Sequence, residues 1–519
     1  MSIGRTRSVA LTGLRGELVE VEADLAAGMP AFILIGLPDA ALGEARERVR
    51  SAAANSGCEL PNRRVTVNLS PAALPKQGSG FDLGIAMAML AAAGSVPAES
   101  VARVVHIGEL GLDGRVRSVP GVLPAVVAAK RAGCETVMVP EPSAREAELV
   151  DGIRIVPVAS LRTALIWHGA ELDPGEPLAP EPPLLADPLE RTGPAPDLAE
   201  VVGNPDAIRA LLVAAAGGHH LFMLGPPGAG KTMLATRLPG LLPDLDPEQA
   251  IEAASIRSLS GLPVTRLSSA PPFEAPHHTA SPAAIIGGGS GVIRPGAIAR
   301  AAHGVLFLDE APEFSRIALD ALRQPLEERV ITVQRANATA RFPADFQLVL
   351  AANPCPCGRE SDASCTCTPM AKRRYLGKLS GPLLDRVDLQ VQLRRITATQ
   401  LRLALDHSDR RARPGLTTAE GRQQVAAARQ TALERWAGTP WRRNAEVPGN
   451  RLRGVEGGLR LPRAVTVGLD QALERGAITM RGYDRVLRIA WTLADLDGLG
   501  RPGRDQVDEA AGYRMAVAA

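Results

Sequence analysis

Aromatic residues are scarce in this sequence, since Phe, Trp and Tyr together make up 3% of its 519 residues. Hydrophobic residues nevertheless reach 45%, an ordinary fraction for a folded protein. The hydrophobic cores must therefore be aliphatic, built from Ala, Val, Leu and Ile. Because a single core does not grow to this length of chain, we expect about two to four domains.

Long apolar runs are also missing. No uncharged apolar stretch reaches the roughly 18 residues that a membrane-spanning helix needs. Residues 1–25 lack an apolar segment followed by a small-residue cleavage site, so they do not predict a signal peptide. The net charge of +2 excludes a chain that is basic as a whole, so a nucleic-acid surface has to be a local patch. We expect a cytoplasmic protein with no membrane partner.

Cysteine is rare as well, and four of the six cysteines are clustered. Cys355, Cys357, Cys365 and Cys367 form two C-x-C pairs in one short segment. In a cytosolic protein such a cluster indicates metal binding before disulfides. Four thiolates can hold Zn²⁺ tetrahedrally, but four reduced cysteines in an ordered loop fit the pattern equally well. Both interpretations stay open.

Proline and acidic residues mark the clearest boundary. They are dense from 171 to 197, where no helical or strand period is sustained, so this segment is predicted to be a linker. Before it, residues 1–170 alternate strand-like and helix-like segments, which is typical of an α/β domain. The predicted strands are 32–37, 65–69, 104–110 and 136–140, and the predicted helices are 44–54, 82–93 and 122–132.

After the linker, residues 198–395 combine helices with the buried-type strands HLFMLG, GVLFLDE and FQLVLAAN. This alternation predicts a parallel sheet flanked by helices. A helix is predicted from 197 to a stop at Gly217-Gly218. Residues 396–519 are predicted to be helical and are rich in Arg.

A complete P-loop pattern follows the first of these strands and precedes the helical segment MLATRL. Its residues are Gly225, Pro226, Pro227, Gly228, Ala229, Gly230, Lys231 and Thr232. Glycines at these positions let backbone N–H groups converge on the phosphates of ATP. Lys231 is expected to reach the β- and γ-phosphates, and Thr232 to ligate Mg²⁺.

Polar residues end the next two strands. Asp309 and Glu310 close VLFLDE, at the sheet edge where ligands of such sheets bind. We expect Asp309 to hold Mg²⁺ and Glu310 to deprotonate the attacking water. Asn353 ends FQLVLAAN and is predicted to contact the γ-phosphate or that water, although an Asn that caps the following turn is the alternative.

Several longer motifs carry a family resemblance. PHHTASPAAIIGGG, IRPGAIARAAHGVLFLDE, ANPCPCG, LSGPLLDRVDL and TMRGYDRVLRIAWTLADL resemble the magnesium-chelatase-like AAA+ ATPases of the YifB/ComM type, over essentially the whole chain. The resemblance implies an AAA+ core with a parallel sheet and a C-terminal helical lid. It also implies a homo-oligomeric ring, a hexamer, with ATP sites between subunits. Members of the ComM type are implied to be DNA helicases that drive branch migration during natural transformation.

The resemblance also implies roles for two arginines. Arg386 in GPLLDRVD matches the arginine finger, which acts on the ATP of the neighbouring subunit; an ion pair with Asp385 or Asp388 is the alternative. Arg481 in TMRGYDR matches the sensor-2 arginine of the lid, which is expected to complete the ATP site of its own chain; one more Arg on an amphipathic helix is the alternative. Trp491 stands where the resemblance implies Arg, so the lid contacts there are expected to differ from those of the family.

A β-hairpin is predicted between Glu327 and Phe346, because two short alternating runs flank residues 335–337. It matches the pore hairpin of ring helicases, which implies Arg335 and Arg341 as contacts to DNA phosphates; plain solvent-facing charge is the alternative. His277 and His278 are adjacent and therefore a poor pair of ligands for one metal, so the PHHT segment is interpreted as structural or interface-forming.

The first domain resembles the Lon protease domain in the segments GELGLDGRVRSVPGVLPAVVAAKRAG and PKQGSG. Lon-type proteolysis needs a Ser nucleophile and a Lys base. The nucleophile position falls on Gly80, with Ser79 beside it, and the Lys position falls on Leu123, while Lys76 and Lys130 lie elsewhere. We therefore expect a Lon-protease-like α/β domain without the Ser–Lys pair, acting as a scaffold or partner-binding domain.

Three functions follow, in order of preference. The first is a Mg²⁺-dependent ATP-driven ring motor that acts on single-stranded or branched DNA as a helicase or branch-migration factor. The second is a chelatase-like ATPase that remodels a protein partner. The third is an ATP-dependent protease, which the missing Ser–Lys pair disfavours.

Overall fold

The computed structural model describes most of the chain. The described residues are 3–175, 196–289, 293–335, 338–359, 365–399, 402, 415–454 and 458–515. The predicted linker at 171–197 therefore lies mostly outside them.

A seven-stranded mixed sheet forms the centre of the N-terminal part, in the order β3-β4-β2-β1-β5-β8-β9. The antiparallel strand β2 pairs with both β1 and β4, and the other neighbours are parallel. The short strands β6 and β7 pair only with each other. The strands of this part are β1 (Ile3–Thr12), β2 (Arg15–Ala26), β3 (Ala31–Ile35), β4 (Arg64–Ser70), β5 (Val104–His106), β6 (Glu109–Leu110), β7 (Val116–Arg117), β8 (Thr136–Pro140) and β9 (Arg154–Val158).

Seven helices accompany this sheet in the part of the chain that the structure describes. They are α1 (Ala40–Gly43), α2 (Ala45–Asn55), α3 (Asp82–Ala92), α4 (Ala98–Ala102), α5 (Val122–Arg131), α6 (Ala144–Ala147) and α7 (Leu161–Trp167). Every residue of α3 is buried, which fits its apolar sequence. It lies so close to β1 that a Cβ on Gly4 would be 2.0 Å from the Ala88 carbonyl oxygen. The predicted strands and helices are confirmed, with 104–110 divided into β5 and β6.

The long hairpin of β1 and β2 was not predicted. Gly4, Thr6 and Ser8 are the buried residues at alternating positions of β1, so this strand shows no apolar alternation. Thr6 is compatible with the interior because its hydroxyl hydrogen-bonds the Val101 and Val104 carbonyls, at 3.2 and 3.1 Å.

A five-stranded parallel sheet, in the order β11-β14-β17-β10-β18, forms the second core. Two ribbons, β12 with β13 and β15 with β16, lie outside it. The strands of this part are β10 (Leu221–Leu224), β11 (Phe273–Glu274), β12 (Gly287–Gly288), β13 (Arg294–Pro295), β14 (Val305–Leu308), β15 (Val330–Arg335), β16 (Ala338–Pro343), β17 (Gln347–Ala352) and β18 (Leu389–Gln392). The predicted parallel sheet and the hairpin before β17 are confirmed.

Ten helices surround these strands within the described ranges. They are α8 (Pro205–Gly217), α9 (Lys231–Ala235), α10 (Leu238–Leu241), α11 (Pro247–Leu259), α12 (Pro282–Ile286), α13 (Ala297–Arg300), α14 (Arg316–Ala321), α15 (Arg323–Glu328), α16 (Pro369–Leu376) and α17 (Gly381–Leu384). The helix predicted from 197 begins only at Pro205, because Asn204 is left-handed with φ of 51° and ends the irregular segment before it.

The C-terminal part is helical, as predicted. Its described helices are α18 (Thr418–Arg435), α19 (Gly449–Arg453), α20 (Arg463–Glu474), α21 (Met480–Leu496) and α22 (Arg504–Met515). The predicted apolar face of α21 is confirmed, since Tyr483, Leu487, Ala490 and Ala494 are buried against the second core and its helices. Within the described residues, no helix combines the length and the apolar character needed to cross a membrane.

The two cores touch along α5 and α11. Ala254 of α11 and Val264 join the apolar cluster of Val122 and Val126. The Gly121 N–H donates to the Ser258 carbonyl at 3.2 Å. A second contact brings the β1–β2 turn onto the hairpin β15–β16, where a Cβ on Gly13 would lie 2.7 Å from the Arg341 carbonyl oxygen.

Candidate nucleotide site

The P-loop connects the end of β10 to the start of α9. Gly228 and Gly230 have φ of 77° and 91°, a left-handed conformation that favours glycine. A Cβ on either would meet no atom within 4 Å. The backbone conformation therefore requires these glycines, and space lies open around them.

The Lys231 ammonium links the P-loop to the neighbouring strand. It donates to the carbonyl oxygens of Gly225 and Pro226 at 2.7 and 3.0 Å, and to Asn353 Oδ1 at 3.0 Å. Lys231 is buried, and burial lowers its pKa, while Asp309 and Glu310 act in the opposite direction. These three acceptors satisfy the buried ammonium. The structure thus brings together Lys231 and Asn353, two residues that the sequence predicts for the site.

Two further predicted residues meet beside the P-loop. The Thr232 hydroxyl donates to Asp309 Oδ2 at 2.6 Å. A hydroxyl and a carboxylate oxygen are ligands that Mg²⁺ accepts, and they lie side by side where the predicted ion needs them. Since β10 and β14 both border β17 and run parallel to it, their carboxyl ends reach the same edge of the sheet.

Glu310 has a strained backbone, with φ of 50° for a residue that carries a Cβ. Its own N–H donates to Asp309 Oδ1 at 2.9 Å, which ties the two acidic residues together. Strain of this kind persists where the surrounding structure enforces it, and it often marks a functional position.

His278 is a neighbour of this site that the sequence interpretation missed. Its Nδ1 lies 3.2 Å from Glu310 Oε2. The segment before it forms only the two-residue strand β11, which is too short to be recognised from its pattern. The sequence predicts a structural or interface-forming role for the PHHT segment, and the structure adds a contact of its second histidine with the acidic residue expected to activate water.

Arg386 lies at the opposite edge of the sheet. It precedes β18, whose first residue Leu389 pairs with Leu221, the first residue of β10. Lys231 follows the other end of β10, so the length of this strand, about 13 Å, separates Arg386 from Lys231 along the strand direction. Arg386 donates to the Pro382 carbonyl at 2.7 Å and forms an ion pair with Glu327. The alternative partners are otherwise engaged, since Asp388 pairs with Arg485 and Asp385 lies 3.9 Å from Arg514.

Arg481 also lies away from the P-loop of its own chain. It is exposed in the first turn of α21. Arg485, one turn further along the same helix, pairs with Asp388, whose N–H donates to the His220 carbonyl at the amino end of β10. The structure therefore places the start of α21 near the edge that carries Arg386.

Trp491 belongs to the interior of the helical part. Its side chain is 3% exposed, and the Arg435 guanidinium lies 4.5 Å from the ring centroid. Arg435 in turn pairs with Asp495 of the same helix. Trp491 thus takes part in a packed cation–π contact.

The four clustered cysteines converge. Cys355 Sγ lies 3.2 Å from Cys357 Sγ and 3.6 Å from Cys365 Sγ, and all four sulfur atoms, with that of Cys367, lie within 4.8 Å of one another. Zn–S bonds of about 2.3 Å in a tetrahedron place sulfur atoms about 3.8 Å apart. The donor set therefore fits zinc. The N–H of Arg359 lowers the pKa of Cys357 to about 6, whereas burial raises that of Cys355 to about 12.

The predicted hairpin exposes both candidate arginines. Ile331, Val333, Ala340 and Phe342 turn inward into the core, and Arg341 alternates with them on the outer face. Arg335 is exposed at the last described residue before the turn. Residues 336–337 of that turn lie outside the described residues.

The residues at the Lon-type positions have other partners. The Ser79 hydroxyl donates to Glu109, and the buried Lys76 donates to the Pro71 carbonyl. Leu123 is buried, and its N–H donates to Glu146 at 2.9 Å. Within residues 3–175 these positions form no Ser–Lys pair.

Fold and site together define a P-loop nucleotide-binding protein with an acidic strand end and a C-terminal helical part. Three family models match the chain. "Magnesium chelatase, subunit ChlI" matches residues 197–401, "Subunit ChlI of Mg-chelatase" matches 21–143, and "Magnesium chelatase, subunit ChlI C-terminal" matches 415–514.

Relatives match over the full length. The chain is 50% identical to an uncharacterised protein of Mycobacterium tuberculosis, with 100% of each chain covered. It is 40% identical to the competence protein ComM of Haemophilus influenzae, covering 100% of this chain and 98% of that one. It is 38% identical to YifB of Escherichia coli, covering 99% and 97%. The chain therefore belongs to the YifB/ComM family of magnesium-chelatase-like AAA+ ATPases, as its motifs predicted.

The N-terminal part has a second similarity. Lon protease of Mycolicibacterium smegmatis is 29% identical over 171 residues, which cover 30% of this chain and 21% of that one. The Lon-like α/β character of this part agrees with the sequence prediction.

Proposed function

We propose that the chain is a Mg²⁺-dependent ATPase whose site is completed between subunits of a homo-oligomeric ring, a hexamer. The arrangement of Lys231, Thr232, Asp309 and Asn353 at one sheet edge carries this proposal. Lys231 contacts the β- and γ-phosphates, and Thr232 and Asp309 hold Mg²⁺, which neutralises phosphate charge when bound. Asn353 contacts the γ-phosphate or the attacking water.

Glu310 takes the proton of the attacking water in this proposal. Its carboxylate is half exposed and therefore accessible to water, and it directly follows Asp309, the proposed Mg²⁺ ligand. Glu310→Gln keeps the shape and removes the base. This variant is expected to bind ATP and to hydrolyse it at least about 100-fold more slowly.

Arg386 acts on a neighbouring subunit's ATP in this proposal. The sequence assigns Arg481 to the site of its own chain, but the start of α21 lies near the edge that carries Arg386, so we propose that Arg481 acts on the neighbour's ATP as well. Both belong to the region at the opposite edge of the sheet from Lys231. A cation brought from a neighbour stabilises the charge of the transition state. Hydrolysis then requires assembly, and a closed ring gives every ATP site such a neighbour.

We propose that the ring acts on DNA as a helicase or branch-migration factor, in recombination or natural transformation. The name of the Haemophilus influenzae relative, a competence protein, supports this choice. So do the exposed Arg335 and Arg341 on a hairpin, because such side chains can contact phosphates. The whole-chain charge of +2 requires a local patch of this kind.

The domain boundaries and the zinc site are proposed as the sequence predicts them. We infer a Lon-protease-like domain at 1–170, a linker at 171–197, an ATPase core at 198–395 and a helical lid at 396–519. We also infer that Cys355, Cys357, Cys365 and Cys367 hold one Zn²⁺, because their sulfur atoms converge within 4.8 Å. Such a site would stiffen the loop that follows Asn353.

ATP hydrolysis measured with and without single-stranded or branched DNA tests the DNA proposal. We expect DNA to stimulate hydrolysis and to bind in a salt-sensitive way. Arg341→Ala should weaken both effects, whereas Arg131→Ala, at an exposed position of α5, should leave them unchanged. If the protein hydrolyses ATP but DNA neither stimulates the hydrolysis nor binds to the protein, a DNA motor is refuted. That result would favour a motor that remodels a protein partner.

A further inference from the structure

The loop after β11 carries a histidine to the acidic strand end. His278 Nδ1 lies 3.2 Å from Glu310 Oε2, and the two side chains are 30% and 50% exposed. Among the described residues, no other basic side chain forms an ion pair with the Glu310 carboxylate. A half-exposed Glu without a partner samples several rotamers, so this contact restricts where the carboxylate points.

Strand register explains why these two residues meet. Strands β11 and β14 are parallel neighbours, with Glu274 opposite Leu306. His278 and Glu310 follow these two residues at the same distance along the chain. The contact is therefore built into the pairing of the two strands.

The strand that carries His278 is itself anchored. Glu274 is buried and accepts from Arg300 Nε and Nη2, at 3.1 and 3.0 Å. The Val305 N–H donates to the Pro272 carbonyl at 2.8 Å, which fixes the same segment to β14. His278 therefore approaches Glu310 from a support that belongs to the sheet.

The adjacent histidine has a different set of contacts. His277 Nδ1 lies 2.8 Å from the Thr279 hydroxyl, and its carbonyl accepts the Ala280 N–H at 2.9 Å. Its ring lies 4.2 Å from the ring of His278 without reaching the acidic pair. Only one of two adjacent imidazoles thus faces the site, and the other provides a matched control.

We propose that His278 is a positioning residue that orients the Glu310 carboxylate toward the attacking water. The inference rests on the proposed ATPase function and names a further residue of that site. The Asp309 carboxylate fixes the Glu310 backbone by accepting its N–H, and His278 fixes the carboxylate end of the Glu310 side chain. Together they hold a base in one orientation, on which the rate of proton removal depends.

The test compares two substitutions that keep an aromatic ring and remove the nitrogen atoms. His278→Phe is expected to lower kcat for ATP about 10- to 100-fold, with KM and ATP binding unchanged. His277→Phe is expected to keep the kcat of the unaltered protein. His278→Asn, whose side-chain amide can replace Nδ1 as a donor, should restore most of the activity. Thermal unfolding and binding of a fluorescent ATP analogue show whether each variant is folded and binds nucleotide.

A double variant separates positioning from a general structural effect. If His278 acts through Glu310, then Glu310→Gln with His278→Phe should hydrolyse ATP no more slowly than Glu310→Gln alone. Additive losses, or an unchanged kcat in His278→Phe, would overturn the inference while the ATPase proposal stands. An unaltered protein that hydrolyses no ATP as an assembled ring, with or without DNA, would overturn both.

Discussion

Arg386→Ala should abolish ATP hydrolysis without weakening ATP binding. The Arg386 side chain is 15% exposed and pairs with Glu327, whose side chain is 57% exposed and opens the pair to solvent. A pair this close to solvent contributes about 0–1 kcal/mol, so releasing it costs little. An arginine finger contributes about 10³–10⁵ in rate, or roughly 4–7 kcal/mol of transition-state stabilisation. The loss of the finger therefore dominates, whereas Glu327→Ala should change kcat by less than about tenfold.

Mixing two inactive variants provides the assay. Lys231→Ala lacks a working P-loop but keeps Arg386, and Arg386→Ala has the opposite defect. In rings assembled from equal amounts of the two, about a quarter of the interfaces combine an intact P-loop with an intact finger, so hydrolysis should return to about a quarter of the unaltered value. This estimate assumes random assembly, which subunit exchange before the assay ensures.

The same experiment can refute the reasoning. Mixed rings that show no recovery, although each variant assembles and Arg386→Ala binds ATP, would exclude a site shared between subunits. Full hydrolysis by an Arg386→Ala monomer would have the same meaning. Arg131→Ala, an exposed substitution on α5 that keeps both the P-loop and the finger, serves as the control: mixed in equal amounts with either variant, it should leave about half of the interfaces intact.

Three further outcomes are expected. Purified protein should contain about one equivalent of zinc per chain by elemental analysis, lost in Cys365→Ser; an unaltered protein without zinc would reject the site. The N-terminal part should lose stability in acid, because burial lowers the pKa of His168 to about 4 and that of His106 well below its usual value. Both folded-state pKa values lie below those of the unfolded chain, so the stability is complete above about pH 6.5 and falls by about 1.4 kcal/mol per pH unit for each imidazole toward pH 4. Chemical unfolding at pH 7 and pH 5 measures this slope, which should flatten in His168→Gln. Arg341→Ala should reduce the salt dependence of DNA binding, and an unchanged salt dependence would remove Arg341 from the interface.

Local motifs made much of the nucleotide site predictable. The P-loop and the strand ends at Asp309 and Asn353 are contiguous patterns, and parallel strands bring their carboxyl ends to one edge. Two groups escaped prediction because they depend on distant partners. His278 follows a strand of two residues that exists only through pairing with β14, and β1 buries Gly4, Thr6 and Ser8 in place of apolar side chains.

The two arginines illustrate the same limit. A motif assigned Arg386 and Arg481 to an ATP site, but no local pattern says on which side of the sheet a helix begins. That side is set by contacts far apart in the sequence, such as the ion pair of Arg485 with Asp388. The alternative partner expected for Arg386 was a neighbouring Asp, and the observed one is Glu327, which lies on another helix.

The contact between α5 and α11 has a practical consequence for dissecting this protein. Val122 and Val126 cover Ala254 and Val264, and the turn at Gly13 rests on the backbone of the hairpin strand β16. A fragment that starts at the linker would expose this apolar seam, the surface of Ala254 and Val264 that α5 covers, to water. It would also remove the contact of the β1–β2 turn with the hairpin β15–β16. Low solubility or altered hydrolysis in such a fragment would reflect an uncovered surface, so the role of the first 170 residues is better studied by point substitutions along the seam than by deletion.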